Sequence, residues 1–306
     1  MKIPFEQTIT GAYRFVFSNF LSVIGISWFP FLLFAAVLAG AVMTVFPLFN
    51  GLIVEGTNNQ IDTARLGAVV GQISGTFLLV AVAGLFAQAI VNVGLMRKAL
   101  GQHPGPVFIF FSLGSQVWQL IGSYLLLMLL AWGGVALAAV AITALSFLLQ
   151  KSAPSAQVPV TVLLVIAAYI FAVYAMVRVS FFIPAVVVAE NHIGLRRAWH
   201  LGRGNFWRIV GIMLAVLLPL GVVVSTITQA IMQLAIGAPA ELRPNATSAE
   251  IQAFFAKLAA AFVKIGPYFA VVELLYVILL SALLAGASAV AYKLVTGADT
   301  AARTFA

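Results

Sequence analysis

Two stretches of this chain decide the fold: GAYRFVFSNFLSVIG, from Gly11 to Gly25, and RAWHLGRGNFWRIVG, from Arg197 to Gly211. Aligned without gaps, they share an alanine, an asparagine, a phenylalanine and a glycine, and each leads from a polar, aromatic segment into a long apolar run. A fainter third copy, FFSLGSQVWQLIG from Phe110 to Gly122, aligns Gln116 with the shared asparagine. The repeat predicts three similar helical hairpins, each of which starts on the same side of a membrane.

The composition indicates a membrane protein. Hydrophobic residues make up 63% of the chain, charged residues make up 8%, and the mean hydropathy is +1.12, which is far from the values of soluble domains. A helix needs about 20 apolar residues to cross a bilayer, and lipid cannot satisfy free backbone groups. We therefore predict an all-α membrane protein with six spans, over residues of about 21–47, 66–95, 118–149, 159–182, 209–236 and 267–293.

The chain is predicted to form one integral membrane domain, residues 1–306, with pseudo-repeats over about 1–98, 99–182 and 183–306. Its start does not have the pattern of a cleavable signal, because Glu6 and Arg14 interrupt it and the apolar run that follows is too long. Cysteine is absent, which excludes disulfides, thiolate metal sites and cysteine nucleophiles.

Basic residues predict the orientation. Ten Lys and Arg residues fall on the side of the termini and five on the other side, so the positive-inside rule predicts that both termini are cytoplasmic. The net charge of +8 favours anionic membrane surfaces, and nucleic acid is not a predicted partner. The residues predicted inside are Lys2, Arg14, Arg97, Lys98, Arg196, Arg197, Arg203, Arg208, Lys293 and Arg303. The residues predicted outside are Arg65, Lys151, Arg243, Lys257 and Lys264.

The segment from Thr247 to Gly266 is predicted to form an interfacial helix. Thr247 and Glu250 have the spacing of a capping box, and apolar residues follow at helical intervals. Such a helix could lie in the headgroup plane, but we favour a helix that covers the outer face of the bundle. Its apolar residues are Ile251, Phe254, Phe255, Leu258, Phe262 and Ile265.

Glu273 is a candidate intramembrane polar site, because a carboxylate inside a span is costly. It could be a proton or cation site, a partner of Arg178, or a protonated, hydrogen-bonded group. Arg178 lies near the inner end of its span and Glu273 nearer the outer end of the next but one, so pairing between them is disfavoured. Lys264 or headgroups are better candidates.

Glycines at every fourth position, Gly67, Gly71 and Gly75, let a second helix approach closely. Packing within the bundle is the favoured interpretation, and self-association or contact with a membrane protein partner is the alternative. A re-entrant segment before the third span is also possible, because Pro104 and Pro106 precede a run rich in phenylalanine.

Two polar pairs have helical spacing, Gln88 with Asn92 and Gln229 with Gln233. Pairs of this kind could line a pore, but interhelical hydrogen bonding is the commoner use.

No catalytic or metal site is predicted. Glu190, His192 and His200 include zinc-ligand types, but their spacing does not favour a metal. The chain has no G-x-S-x-G elbow, P-loop, Rossmann fingerprint or HExxH pattern. We therefore expect a non-enzymatic protein without a cofactor.

A pattern over residues 170–215 resembles a bacterial family. It consists of Arg178-x-x-x-Phe182-x-Pro184, then Glu190, then Ala198-Trp199-x-Leu201 and Gly204-Asn205-Phe206-Trp207-Arg208. This pattern is similar to that of the YciC-like proteins and the related glycerophosphoryl diester phosphodiesterase membrane domains. The resemblance implies a six-span protein of the bacterial inner membrane. In that family the phosphodiesterase chemistry belongs to a separate soluble domain, which this sequence does not contain.

The same region supplies the candidate contacts for membrane lipids or a protein partner. Its arginines could bind anionic headgroups, each worth about 1 kcal/mol, or could serve only to set the topology and end a helix. The candidates are Arg178, Glu190, Arg196, Arg197, Trp199, Arg203, Asn205, Phe206, Trp207 and Arg208.

Three polar residues of the repeat, Asn19, Gln116 and Asn205, are predicted to anchor the starts of their helices beside Phe20, Trp118 and Phe206. The predicted function is a scaffold or envelope-maintenance factor that binds lipid or a membrane protein. The alternative is a transporter or channel for a lipid or small solute that uses Glu273.

Overall fold

The computed structural model describes residues 2–57, 63–103, 105–236 and 247–297. Within these ranges the chain is entirely helical apart from its connections, which confirms the all-α prediction. The helices are α1 (Phe5–Ser18), α2 (Phe20–Thr57), α3 (Thr63–Ala99), α4 (Ser115–Ser152), α5 (Pro154–Ser180), α6 (Ile183–Glu190), α7 (Leu195–Leu201), α8 (Phe206–Ile236) and α9 (Ser248–Thr296).

Six segments are long and apolar enough to cross a membrane, and they coincide with the six predicted spans to within a few residues at most ends. The fold is therefore that of a multi-pass membrane protein. The segments are Phe20–Phe49, Arg65–Ala99, Ser115–Ser152, Pro154–Glu190, Phe206–Leu234 and Val263–Thr296.

The long helices pack as consecutive pairs: α2 with α3, α4 with α5, and α8 with α9. Helix α9 also contacts α1, α2, α3 and α6 and is the central helix of the bundle. The starts of α2, α4 and α8 lie at the same end of the bundle as the last turns of α3, α5 and α9. We call this the terminal end, because both the N-terminal segment and the end of α9 lie there.

The buried core is concentrated at the terminal end. Most of α6 is buried there, and so are the last turns of α3 and α9 and the first turns of α2, α4 and α8. Toward the opposite end few residues are buried, and none is buried in the most apolar stretch of α4 or of α5. Apolar side chains need no protein cover in a bilayer, since lipid tails are as apolar as leucine.

In the two strong copies of the repeat, a long helix begins just after the shared asparagine. The preceding segments differ, because α1 continues to Ser18, next to Asn19, while α7 ends at Leu201 and a turn over residues 202–204 separates it from Asn205. The carbonyl of Asn19 accepts the N–H of Val23 at 2.9 Å, and the carbonyl of Asn205 accepts the N–H of Ile209 at 2.9 Å. The third copy differs, because its first part is not helical and Gln116 is already the second residue of α4.

Helix α5 ends four residues before Pro184. Its last residue is Ser180, a turn follows at Phe181 and Phe182, and α6 starts at Ile183 with Pro184 in its first turn. Proline is tolerated in a first turn because that N–H has no helical partner in any case. The turn redirects the chain into the core of the terminal end, where α6 contacts α3, α4 and α9.

The predicted separate interfacial helix is wrong as an element. Its capping box is present, since the side chain of Thr247 accepts the N–H of Glu250 and the carboxylate of Glu250 accepts the N–H of Thr247. The helix then continues without a break through Pro267 to Thr296. Neighbouring helices let a membrane helix tolerate an internal proline, and α8 packs along α9.

Candidate lipid-binding site at the terminal end

Asn205 fastens the N-terminal segment to the start of α8. Its side-chain Oδ1 accepts the backbone N–H of Ile3 at 2.9 Å, and its amide group donates to the carbonyls of Leu201 and Arg203 at 3.4 Å. Arg208, one turn further along, donates from Nη1 to the carbonyl of Ile3 at 2.6 Å. Asn205 and Ile3 are both fully buried. Residues that are about 200 positions apart in the sequence are therefore joined in one hydrogen-bonded group.

Arg178 is a buried cation held by aromatic groups. Its guanidinium carbon lies 3.8 Å from the ring centre of Trp199 and 5.7 Å from that of Tyr174. Its Nε donates to the carbonyl of Trp199 at 3.1 Å, and its Nη1 donates to the Tyr174 hydroxyl at 3.0 Å. Within the described part of the chain no carboxylate lies within 4.0 Å of this guanidinium. Cation–π contact of this kind is worth about 2 kcal/mol when desolvated.

Gly202 makes room for Arg178. A Cβ at this position would lie 2.6 Å from Cγ of Arg178 and 2.7 Å from its carbonyl oxygen. Only glycine permits so close an approach of the turn after α7 to the last turn of α5.

A groove between α5 and the start of α8 opens beside this arginine. It has a volume of about 920 Å³, and we call it the α5–α8 groove. One end carries the two cations Lys2 and Arg208, and the wall along α5 is apolar and aromatic. Tyr174 joins the groove to Arg178, and its ring packs on Phe206 with 4.8 Å between centroids. The lining residues are Lys2, Ala167, Tyr169, Ile170, Phe171, Val173, Tyr174, Gly204, Phe206, Trp207 and Arg208.

Glu190 forms a second polar group at the terminal end, away from the groove. Its Oε1 accepts from Nε of Arg197 at 3.1 Å and from the hydroxyl of Tyr292 at 2.9 Å, and His192 lies 3.8 Å away. The carboxylate thus ties the end of α6 to α7 and α9. No group of three or more potential metal ligands occurs among the described residues.

Gln116 connects three elements. Its Oε1 accepts from Nε of Arg97 at 2.6 Å, and its Nε2 donates to the carbonyl of Val188 at 3.1 Å. Asn19 differs, because its amide donates only to Phe15 and Ser18 in the preceding turn. The three polar residues of the repeat therefore have different partners: Gln116 and Asn205 bind other elements, and Asn19 binds within the turn before its helix.

The predicted contact residues separate into distinct places. Phe206, Trp207 and Arg208 line the groove, while Arg178, Trp199 and Asn205 build the structure behind it. Glu190 and Arg197 pair with each other. Arg196 and Arg203 are exposed and their side chains make no hydrogen bond or ion pair within the part of the chain that the structure describes.

Glu273 is half-buried in the span of α9. In the described ranges it makes no ion pair with Arg178, Lys264 or any other residue. The disfavoured pairing with Arg178 is absent, because that guanidinium is held by Tyr174 and Trp199.

The glycine series at Gly67, Gly71 and Gly75 faces open space, since a Cβ at any of the three would meet nothing within 4 Å. The favoured interpretation, packing within the bundle, is therefore wrong for the described residues. Self-association and contact with a partner stay predictions.

Of the polar pairs, Gln88 and Asn92 join α3 to α4. Nδ2 of Asn92 donates to the hydroxyl of Tyr124 at 2.9 Å, and Nε2 of Gln88 lies 3.4 Å from Oδ1 of Asn92. The interpretation as interhelical hydrogen bonding is confirmed for this pair. Gln229 and Gln233 are exposed, with no side-chain hydrogen bond to any described residue.

Comparison of the chain with protein-family models, with curated proteins and with solved structures gives no match. The resemblance to the YciC-like family stays a prediction. Arg243, Arg303 and Pro104, which entered the predictions of orientation and of a re-entrant segment, lie outside the described residues.

Sequence reasoning missed Lys2, Ile3 and Tyr174 as members of the site. No local signal marks Lys2 or Ile3, because the residues that hold them are about 200 positions away. Tyr174 had a signal: it lies four residues before Arg178, so both side chains project from one helix face.

Proposed function

We propose that this protein binds an anionic lipid in the α5–α8 groove and acts as a non-enzymatic membrane scaffold. The observation that carries the proposal is the division of the groove into a cationic end, with Lys2 and Arg208, and an apolar wall. A phosphate-bearing headgroup fits the first part and an acyl chain fits the second.

The dimensions support a lipid. Between Tyr174 and Ala167 the wall follows α5 for seven residues, which corresponds to about 10 Å of helix rise. Tyr169, Ile170 and Phe171 on this wall are exposed to the surroundings of the bundle. An acyl chain can therefore enter from the bilayer without opening the bundle.

Arg178 adds to the attraction. It is a buried positive charge with no carboxylate within ion-pair distance in the described chain, and a buried charge is costly unless it is compensated. An anionic headgroup beside Tyr174 supplies a negative charge near it. We further propose that the terminal end is cytoplasmic, in a bacterial inner membrane, where anionic lipids attract Lys and Arg.

Native mass spectrometry of protein gently extracted from its own membranes tests the proposal. The variant K2Q/R208Q removes both cations of the groove, and R196Q/R203Q is the matched control with the same loss of charge at the same end. At about 1 kcal/mol for each cation, the first variant loses about 2 kcal/mol, or about 30-fold in affinity.

The proposal predicts an anionic lipid in fixed stoichiometry on the wild type and the control but not on K2Q/R208Q. Because Arg208 also holds Ile3, K2Q alone serves as the variant with an intact fold, and it should lose part of the bound lipid. Equal lipid retention by all variants would contradict lipid binding in the α5–α8 groove. A co-purifying protein without lipid would favour a scaffold that binds a protein partner.

The alternative function is transport of a lipid or small solute, and one observation favours it. Glu273 is a half-buried carboxylate inside a span, and intramembrane acids are commonly part of ion or proton pathways. In proteoliposomes E273Q should abolish proton-coupled flux while the fold persists, and unchanged flux or no flux in the wild type would dismiss this alternative.

A further inference from the structure

The connection between α3 and α4 folds back along α2. Two of its residues, Val107 and Phe110, are buried, and the backbone of Val107 and Phe108 lies against Gly25 of α2. The ring of Phe110 fills the space beside Gly94, where a Cβ would lie 2.7 Å from its Cδ1. We call residues 107–113 the 107–113 loop.

The loop reaches well inside the first span. The Trp28 ring donates from Nε1 to the carbonyl of Phe108 at 3.0 Å, and the rings of Phe29 and Phe111 meet edge to face with centroids 5.9 Å apart. Trp28 is eight residues beyond Phe20, the first residue of that span, which is about 12 Å along the helix. The polar layer on each side of a bilayer is only about 5–8 Å thick, so a first span that starts at the membrane surface places this part of the loop at the depth of the acyl chains.

Side chains of α2 pair with two backbone groups of the loop, the carbonyl of Phe108 and the N–H of Val107. Besides the Trp28 bond, Oγ of Ser22 accepts the N–H of Val107 at 3.4 Å, and Nζ of Lys98 donates to the carbonyl of Gly105. Non-helical backbone at membrane depth is tolerated only where protein groups or water pair with it. Here α2 provides both partners in the loop, and Lys98 of α3 holds Gly105 just before it.

The other side of the loop is apolar and uncovered. Phe108, Ile109, Phe111 and Leu113 are between 50% and 70% exposed. We propose that the 107–113 loop is a re-entrant loop inserted into the leaflet at the terminal end, with these four side chains in contact with lipid acyl chains. The proposal does not depend on the α5–α8 groove, which is built from other helices.

Spin-label scanning tests this inference directly, because the natural chain has no cysteine. F108C and I109C each receive one nitroxide label, and the protein is placed in vesicles of phosphatidylethanolamine and phosphatidylglycerol. L129C, on the exposed face of α4 within a span, is the lipid reference, and R196C is the water reference at the terminal end. Collisions with oxygen report lipid, and collisions with a water-soluble nickel chelate report water.

Labels at residues 108 and 109 are expected to show the same ratio of oxygen collisions to nickel-chelate collisions as the label of L129C. They should lack the broadening by the nickel chelate that the label of R196C shows. A ratio like that of R196C would overturn the insertion. Low access to both reagents would also overturn it, because the loop would then be covered by protein. Since both side chains are exposed, the two variants should fold, and coincident melting with the wild type verifies this.

Discussion

Helix α2 begins just after Asn19 and helix α8 begins just after Asn205, yet the two asparagines have different partners. The side chain of Asn19 hydrogen-bonds within its own turn, while that of Asn205 is buried and holds Ile3 from the other end of the sequence. The shared glycines differ as well: Gly25 lies against the backbone of the 107–113 loop, and Gly211 lies against the ring of Phe5. A repeated sequence thus starts a long helix at the same position in both copies, and the surroundings decide what each residue contributes.

The largest expected contrast comes from the two glycines. G25A places a methyl group against the backbone of Val107 and Phe108, which cannot rotate away, so we expect a loss near the upper end of overpacking costs, about 3 kcal/mol. G211A meets the ring of Phe5 at 2.8 Å, and that partly exposed ring can move. Alanine also has a helix propensity higher than that of glycine by about 1 kcal/mol. The free energy of unfolding of G211A should therefore be close to that of the wild type.

Reversible unfolding in mixed micelles measures both glycine variants. Equal stability of G25A and G211A would mean that the loop does not pack on α2, which would also weaken the re-entrant proposal.

The second contrast is between the asparagines. N205A leaves the buried N–H of Ile3 without an acceptor, which costs about 1–3 kcal/mol, and N19A removes only bonds within its own turn, for a cost below about 0.5 kcal/mol. Thermal unfolding of the two variants should show N205A melting first. Hydrogen exchange at the N–H of Ile3 should become faster in N205A alone. Similar melting temperatures of N205A and N19A would contradict the view that Asn205 holds Ile3 in place.

A smaller effect is expected at the first position of the repeat, where Arg197 replaces the glycine of the other copy. R197Q breaks a partly exposed ion pair with Glu190, and such pairs contribute about 0–1 kcal/mol. Y292F removes the hydroxyl that binds the same carboxylate and leaves the ion pair intact. High salt should abolish the difference between wild type and R197Q, while the effect of Y292F should persist.

The smallest effect concerns the start of α9, which belongs to no copy of the repeat. Hydrogen bonds from the backbone N–H and the hydroxyl of Thr247 hold the pKa of Glu250 below its ordinary value. Because the folded pKa is the lower one, this stabilisation is present above the pKa of the unfolded carboxyl and is lost as the pH falls through the folded pKa.

The protection of the amide of Glu250 against hydrogen exchange, relative to the intrinsic exchange rate at each pH, should therefore fall on acidification in the wild type. E250Q should show no such dependence, and an equal loss of protection in both would contradict the capping box as its cause.

Much of the fold could be predicted from the sequence because it depends on local chemistry. Uncharged runs longer than a bilayer crossing predicted the spans, and the spacing of Thr247 and Glu250 predicted their capping box. The course of α9 through Pro267 could not be predicted, because packing against α8 decides it.

The candidate site was predicted only in part. Aromatic and basic residues around Arg208 pointed to the correct end of the bundle, but Arg196 and Arg203 from the same run lie away from the groove. The wall on α5 and the cation at Lys2 come from distant segments, and no periodicity links those segments to α8.

By itself, the sequence determined that the chain is helical, that it has six spans and that two of its long helices begin just after a repeated asparagine, since these follow from hydrophobicity and backbone hydrogen bonding over neighbouring residues. Only the tertiary structure decided that Asn205 holds Ile3, that Arg178 lies among Tyr174 and Trp199, and that the 107–113 loop turns back along α2. Contacts of this kind depend on which surfaces meet after the helices pack. Because lipid is as apolar as the helices themselves, close-packed glycines and a few buried polar groups determine which surfaces meet.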